Sequence, residues 1–311
     1  MFWRLTGTLN GGQNIGSILV GISSWTEPTL IESGGFYPPW AKSAEARLNF
    51  YASQFPIVEV DSSYYAMPAE KTAGLWVNRT PENFVFDIKA FRLFTGHPTQ
   101  PRVLPLDIRE TLPANLAARG SLYYRDLPDE LAGELWLRFA RALLPLDSAG
   151  KLGVVLFQFP SWFLPGNAQR EHIGLCQRML PQYRIAVEFR NALWTNEKNA
   201  ERTLGFLRER NLIYVCVDEP QGFQSSVPPI AEVTSDISVV RFHGRNAAVW
   251  EKSSNLASDR FNYLYNEDEL GGWAPKIKDL AARTKQLHVV FNNCYRDNAV
   301  VNARQMKMIL E

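Results

Sequence analysis

The sequence contains few cysteines and no long apolar run, and both absences narrow the classes of protein to consider. Its three cysteines stand far apart in 311 residues, at positions 176, 216 and 294. That spacing offers neither a disulfide framework nor paired zinc ligands, so we expect free thiols in a reducing cytoplasm. No run of about 18 apolar residues could cross a membrane, and the first residues lack the apolar segment of a secretory signal. We therefore predict a cytoplasmic protein with no membrane partner.

A strong charge of one sign is also missing. The 33 basic and 32 acidic side chains leave a formal net charge of +1, which gives no overall field for attracting nucleic acid or an anionic membrane. Apolar residues make up 46% of the chain, a normal share for a globular protein. The length also accommodates a single (β/α)8 barrel, which commonly takes about 250 residues.

Short β-rich runs alternate with longer helical patterns, an order that is typical of a parallel sheet. Eight strands are predicted, at 18–22, 57–61, 84–89, 153–159, 184–189, 212–218, 238–243 and 287–292. The connection between the sixth and seventh strands is rich in Pro and Gly, which predicts a short helix or none. Long inserts follow strands 3 and 7, at 93–128 and 244–267. We predict an α/β fold, a single TIM-type (β/α)8 barrel over residues 18–311 with elaborated loops after strands 3 and 7, preceded by an N-terminal arm at 1–17.

Polar side chains gather at the carboxyl ends of the predicted strands. Glu188 and Arg190 stand two residues apart at the end of an apolar strand, so a strand points both to the same side. In a barrel that side is the mouth, where barrel enzymes build their active sites. The same reasoning places further residues there: Glu59, Asp61, Asp87, Lys89, Gln158, Asp218, Arg241, His243 and Asn292. A ligand site is favoured, and a purely structural set of ion pairs such as Glu59 with Arg241 is the alternative.

Aromatic residues follow the same strands. Trp25, Tyr65 and Trp194 are predicted at the rim, because flat apolar faces beside hydrogen-bonding groups suit sugar rings or nucleobases. Packing of the loops onto the barrel accounts for them equally well. The loops after strands 7 and 8 often bind phosphate in this fold, and here they contain Gly244, Arg245 and Arg296.

Eight ordered motifs resemble one known family. They read VGISSWTEP, VEVDSSYYAMP, FVFDIKAFRLFTGHP, LGVVLFQFPSWF, VEFRNALW, VVRFHGR, YNEDELGGWAPKI and VVFNNCYRDNAVVNA. From about residue 18 to 310 the chain resembles the YecE-like family, domain of unknown function 72. The resemblance implies a TIM-type barrel and leaves the reaction open. The chain departs from the family pattern at Asp61, where an Asn is usual, and at Asn191, where a His is common.

Acid–base chemistry without a metal is the sharper prediction for the mouth. Glu59 and Glu188 come from strands 2 and 5, and two carboxylates in unlike environments can divide the acid and base roles. His243 is predicted to donate a proton near neutral pH. A zinc cluster is disfavoured because few histidines can reach the mouth. An oxygen-rich magnesium or manganese site remains as an alternative, with candidate ligands Glu59, Asp61, Asp87, Glu188 and Asp218.

These observations favour an enzyme that acts on a sugar-like or phosphorylated small molecule, with hydrolysis as the candidate reaction and no cofactor. A barrel that binds or processes nucleic acid or nucleotides is the alternative. The Arg, Lys and aromatic residues of the rim favour that alternative, and the neutral charge balance argues against it. A non-catalytic barrel that senses a ligand or acts as a scaffold is a third hypothesis.

Overall fold

The computed structural model describes residues 16–252 and 260–311. Eight strands form a closed parallel barrel in which each strand pairs with the next and β8 pairs with β1. They are β1 Ser17–Ser23, β2 Ile57–Val60, β3 Val85–Lys89, β4 Leu152–Gln158, β5 Ile185–Glu188, β6 Ile213–Asp218, β7 Ile237–Phe242 and β8 Gln286–Phe291. Every predicted strand boundary lies within one residue of the observed one, and the TIM-type barrel is confirmed. The predicted N-terminal arm falls outside the described residues except for its last two, of which Ser17 begins β1.

Helices surround the barrel. In the described part of the chain they are α1 Pro28–Ser33, α2 Ala44–Gln54, α3 Ser62–Tyr65, α4 Glu70–Asn78, α5 Leu106–Thr111, α6 Ala114–Ala117, α7 Asp129–Ser148, α8 Asn167–Met179, α9 Ala200–Glu209, α10 Glu267–Ala282 and α11 Asn298–Leu310. The longer ones follow the predicted patterns, whereas α1, α3, α5 and α6 are short segments inside loops. The connection from β6 to β7 contains no helix, as its composition predicts. None of the described helices combines the length and the apolar character needed to cross a membrane.

Local sequence signals explain where several of these helices begin. Ser43 precedes α2, and its side-chain oxygen accepts a hydrogen bond from the backbone N–H of Ala46 at 3.1 Å. Asn266 and Glu269 form a reciprocal capping box at the start of α10. Alternate residues of the strands face outward and bury apolar surface against the helices. Phe86 of β3, for example, stacks on Trp76 of α4 with the ring centres 6.0 Å apart.

Asp87 and His288 form a buried polar pair in the interior of the barrel. The Oδ2 of Asp87 lies 2.9 Å from Nδ1 of His288, and its Oδ1 accepts the backbone N–H of Val154 at 3.0 Å. Gly153 leaves room for this pair, because a Cβ there would lie 2.3 Å from the Asp87 carboxylate. The prediction that Asp87 lies in the mouth is therefore wrong. Asp87 precedes Lys89 by one full pleat of β3 and pairs with a residue near the amino end of β8.

The insert after β3 folds back onto the outer helices. An antiparallel bridge joins Thr99 to Leu122 at its base. Phe94 stacks on Trp136 of α7 with ring centres 3.7 Å apart, and the indole N–H of Trp136 donates to the Tyr124 hydroxyl at 3.0 Å. The insert is thus an ordered wall beside the mouth. The loop after β7 is described except for residues 253–259.

Candidate active site at the barrel mouth

A buried network of four side chains lies just below the mouth: Glu59, Glu188, Arg241 and His243. The guanidinium of Arg241 contacts both carboxylates, with its Nη2 2.5 Å from Oε1 of Glu59 and its Nη1 against Oε2 of Glu188. His243 places its Nε2 3.0 Å from Oε1 of Glu188. All four side chains are at most 1% exposed. The ion pair between Glu59 and Arg241, considered from the sequence as a structural alternative, is therefore present.

Burial and Arg241 together set the protonation of the buried network. Burial raises the pKa of the Glu59 carboxyl, and the nearby charge of Arg241 only partly opposes this. Burial also acts to raise the pKa of Glu188, but the Arg241 guanidinium and the hydrogen bond from His243 hold it well below its ordinary value. The pKa values of two carboxyl groups of the same kind are therefore shifted in opposite directions, because Arg241 and its neighbours act on them unequally.

The imidazole of His243 is neutral near pH 7. Burial lowers its pKa to about 3, and the charge of Arg241 acts in the same direction. The ring is held at both nitrogens: Nε2 donates to Glu188, and Nδ1 accepts from the amide nitrogen of Asn292 at 2.9 Å. This corrects the expectation that His243 offers a proton near neutral pH.

A cavity of about 350 Å³ opens over the buried network. Six of the residues predicted from the sequence line it: Asp61, Tyr65, Lys89, Gln158, Arg190 and Asn292. Lys89 reaches Asp61 at 2.6 Å, and this contact raises the lysine pKa although burial acts to lower it. Gln158 donates to Oε1 of Glu188 at 2.5 Å. Since Gln158 and Asn292 both bond to the buried network, that network orients the residues of the cavity wall.

Six further aromatic or ionisable residues line the cavity: Tyr64, His97, Trp162, Trp250, Arg260 and Phe261. The first four stand in loops that follow strands, and that position is a usable signal in a barrel. Arg260 and Phe261 follow β7 at a longer distance and carry no such signal. His97 is neutral, because burial, with help from Lys89 and Arg92, lowers its pKa to about 3.

Arg190 connects the cavity to a further buried carboxylate, that of Glu219. Its Nη1 lies 3.4 Å from Glu188 and 3.2 Å from Oε2 of Glu219. Burial raises the pKa of Glu219 to about 7, although Oε1 accepts the backbone N–H of Val227 at 2.7 Å. The guanidinium of Arg190 lies over the Trp250 ring, 4.8 Å from its centre. Glu219 directly follows the predicted Asp218, which is the sequence signal that could have identified it.

Asp218 and Arg245 do not line the cavity. Asp218 accepts hydrogen bonds from Nε and Nη2 of Arg245 at 2.8 and 2.7 Å, from the Tyr265 hydroxyl at 2.7 Å and from the Trp273 indole at 2.6 Å. These bonds hold both side chains between the barrel and α10, and neither lies in the cavity wall where the sequence places it. The backbone N–H of Gly244, in the loop predicted to bind phosphate, donates to the Tyr265 hydroxyl at 2.8 Å.

Two of the three predicted rim aromatics belong to the core instead. Trp25 packs edge-on against Trp76, with ring centres 5.7 Å apart. Trp194 is fully buried, and it stacks on Phe189 at 4.3 Å. Both indoles lie outside the barrel wall, where loop packing explains them. Tyr65 stays at the rim, with half of its surface exposed.

Comparison with known proteins identifies the family. A family model described as "Protein of unknown function DUF72" matches residues 19–311. The chain belongs to the DUF72 family. The UPF0759 protein YunF of Bacillus subtilis (strain 168) is 33% identical over 298 residues, which span 94% of this chain and 95% of that protein.

Solved structures of DUF72 family proteins agree with the barrel. One from Enterococcus faecalis V583 shares 27% identity with a TM-score of 0.75, covering 94% of this chain and 95% of its own. One from Thermotoga maritima MSB8 shares 28% identity with a TM-score of 0.74, covering 94% and 98%. The resemblance read from the motifs is therefore confirmed for family and fold.

The carboxylates proposed as magnesium or manganese ligands are dispersed in this DUF72 protein. Asp87 and Asp218 bond to other partners away from the cavity, and both buried glutamates contact Arg241. Within residues 16–252 and 260–311, no group of three or more His, Cys, Asp or Glu side chains is placed to hold a metal ion. The described lining residues of the cavity are mainly cationic, amide and aromatic groups.

Proposed function

We propose that this DUF72 protein is an enzyme that acts on an anionic, sugar-like small molecule bound in the mouth cavity. The proposal rests on one observation: cationic side chains line the cavity, and most of the nearby carboxylates are buried beneath it. Lys89, Arg190 and Arg260 face the cavity, and Asp61 is the sole carboxylate among its described lining residues. The other acidic groups lie beneath, fully or almost fully buried. A ligand therefore meets a mainly cationic surface, which favours a phosphate or carboxylate group.

The uncharged part of the cavity wall suits a hydroxylated ring. Gln158 and Asn292 offer amide groups, and Tyr64, Trp162 and Trp250 offer flat faces. A volume of about 350 Å³ lies within the usual range of small-molecule sites. Aromatic walls with a few fixed polar groups are the usual composition of such sites, and this combination favours a sugar-like unit that carries the anionic group.

Asp61 is the carboxylate that we assign to acid–base chemistry. It faces the cavity and forms an ion pair with Lys89, with Nζ of the lysine 2.6 Å from Oδ1 of Asp61. Hydrolysis is the reaction class that this arrangement favours, with Asp61 removing a proton from the attacking water. Glu59, Glu188 and His243 are almost fully buried and are not among the residues that line the cavity, so we assign them to positioning the groups that do line it. The position of the cavity at the carboxyl ends of the strands supports an enzyme over a scaffold.

Calorimetry with paired charged and neutral sugars tests this proposal. Glucose 6-phosphate should bind at least about tenfold more tightly than glucose, because a charge-assisted contact is worth more than a neutral one. Arg260→Ala should remove that preference. Arg283→Ala is the matched control, since Arg283 pairs with Asp279 at the end of α10. Asp61→Asn should retain binding and abolish turnover in a phosphate and glycoside hydrolysis screen.

Three outcomes would contradict the proposal. Equal affinity for the charged and the neutral sugar would remove the basis for an anionic substrate. An Arg260→Ala variant with unchanged affinity would show that this cation does not face the ligand. Tighter binding of a single-stranded oligonucleotide than of any sugar phosphate would favour the nucleic-acid alternative instead.

A further inference from the structure

A second cavity lies beside the mouth, between the insert after β3 and the loop after β4. Its volume is about 560 Å³, and its walls include Tyr123, Tyr124, Arg125, Trp162, Phe163 and Gln169. Trp162 lines both cavities, and 58% of its surface is exposed. The two cavities are therefore adjacent, with one indole ring forming part of each wall.

The second cavity differs from the mouth in charge. Arg125 is the one formally charged residue among its described lining residues, and its guanidinium lies over Tyr123 at 5.6 Å from the ring centre. His172 also lines the cavity, where burial lowers its pKa, and its Nε2 lies 2.7 Å from the carbonyl oxygen of Phe94. A groove for single-stranded nucleic acid carries cations along its whole length. The change from a cationic mouth to a nearly neutral second cavity argues against such a ligand.

The wall that carries Tyr123 and Tyr124 is held in place by the rest of the protein. Thr99 and Leu122 exchange two backbone hydrogen bonds of 2.8 Å each, immediately before Tyr123. Tyr124 accepts the indole N–H of Trp136 at 3.0 Å. A preformed wall binds a ligand without the entropic cost of ordering a loop. An aromatic groove with polar groups beside it is also the kind of exposed surface that marks a binding site.

We propose that the substrate is a glycoside of at least two rings that occupies both cavities. Its anionic unit lies in the mouth, and a neutral ring lies past Trp162 against Tyr123, with Gln169 available to its hydroxyl groups. This inference rests on the proposed function and adds the substrate class to it. The shared indole and the difference in charge between the two cavities carry the argument.

Paired one-ring and two-ring acidic sugars test the inference. The pairs are glucose 6-phosphate with trehalose 6-phosphate, and galacturonic acid with digalacturonic acid, measured by titration calorimetry on the full chain. At least one two-ring sugar should bind about tenfold more tightly than its one-ring partner, because one further ring is stacked. Tyr123→Ala and Gln169→Ala should each reduce this ratio. Trp40→Ala, an exposed indole that lines neither cavity, should leave it unchanged.

The outcomes separate this inference from the proposed function. If a one-ring acidic sugar binds and no two-ring partner binds more tightly, the inference fails and the proposed function stands. The inference fails in the same way if the advantage of the two-ring sugar survives in both variants. If no acidic sugar of either size binds, the proposed function fails and this inference fails with it. Melting temperatures measured in parallel establish that each variant is folded.

Discussion

Replacing Arg241 by methionine would leave two buried carboxylates without the guanidinium that contacts both. Arg241 is fully buried and bridges Glu59 and Glu188 within the barrel. Removing one partner from a buried ion pair typically costs about 3–5 kcal/mol, because an uncompensated charge remains in a region of low polarity. We therefore expect the free energy of unfolding near pH 8 to fall by this amount, and the melting temperature to fall by roughly 5–8 °C.

The sign of the pH dependence follows from the same contacts. Without Arg241, the pKa of both carboxyl groups in the folded variant rises above the unfolded value of about 4.3. A raised carboxyl pKa penalises folding above the unfolded pKa, and the penalty disappears as pH falls and the groups take up protons. The deficit of Arg241→Met relative to the wild type should therefore be largest near pH 8 and smaller near pH 5.

Urea denaturation followed by circular dichroism at the two pH values measures this deficit. Arg283→Met serves as the control, because its partly exposed pairs with Asp279 and Glu232 should each be worth less than about 1 kcal/mol. A second variant combines Arg241→Met with Glu59→Gln and Glu188→Gln, and it should recover part of the loss at high pH. If Arg241→Met loses no more than the control, or loses the same amount at both pH values, the buried network does not carry the uncompensated charge inferred from its contacts.

Three further predictions concern single side chains. Because burial raises the pKa of Glu219 from 4.5 to about 7, unfolding free energy should fall by about 3 kcal/mol as pH rises through this window, and Glu219→Gln should remove that fall in urea titrations. Parallel profiles for the two proteins would contradict this. Nitrogen NMR should show His243 as the neutral form protonated at Nε2 from about pH 5 to 8, and a midpoint between about 6 and 7 would refute its assigned pKa. Trp194→Ala should cost about 3–5 kcal/mol by thermal melting while calorimetry shows unchanged affinity for glucose 6-phosphate, and weaker binding would place this indole at the ligand.

Strand positions were predictable because burial on both faces leaves a strong signal. Runs such as Ile185–Glu188 are continuous stretches of buried residues, and parallel strands in a barrel have this character. The short helices α5 and α6 were not predicted, since they lie in a Pro-rich insert without a clear helical pattern. Asp107 of α5 pairs with Arg138 of α7, a contact that the local sequence does not reveal. The sequence predicts an elaborated loop at this place in the chain, but it does not predict that parts of the loop are helical.

Site residues were predictable only where position along a strand determines depth in the barrel. Lys89 and Arg190 were placed correctly because each ends an inward-facing series at the mouth. Asp218 has the same sequence signal, yet Arg245, Tyr265 and Trp273 hold it outside the barrel wall. Those partners come from a loop and from α10, far along the chain, and a strand pattern contains no information about them. The same limit explains why Trp194 was placed at the rim.

Charged residues occur in pairs two positions apart at the ends of strands, and this spacing predicts two layers of side chains at the mouth, one above the other. Glu59 of β2 belongs to the buried network, and Asp61, just past the end of that strand, lines the cavity. Glu188 of β5 and Arg190, two residues further on, divide in the same way. Two residues along a strand advance by about 6.6 Å, which is enough to separate a supporting layer from the surface that a ligand meets. Substitutions in the lower layer should therefore change mainly stability and its pH dependence. Conservative substitutions in the upper layer, Asp61→Asn among them, should change ligand binding or turnover while the fold persists. This difference distinguishes residues that stabilise the barrel from residues that contact the ligand.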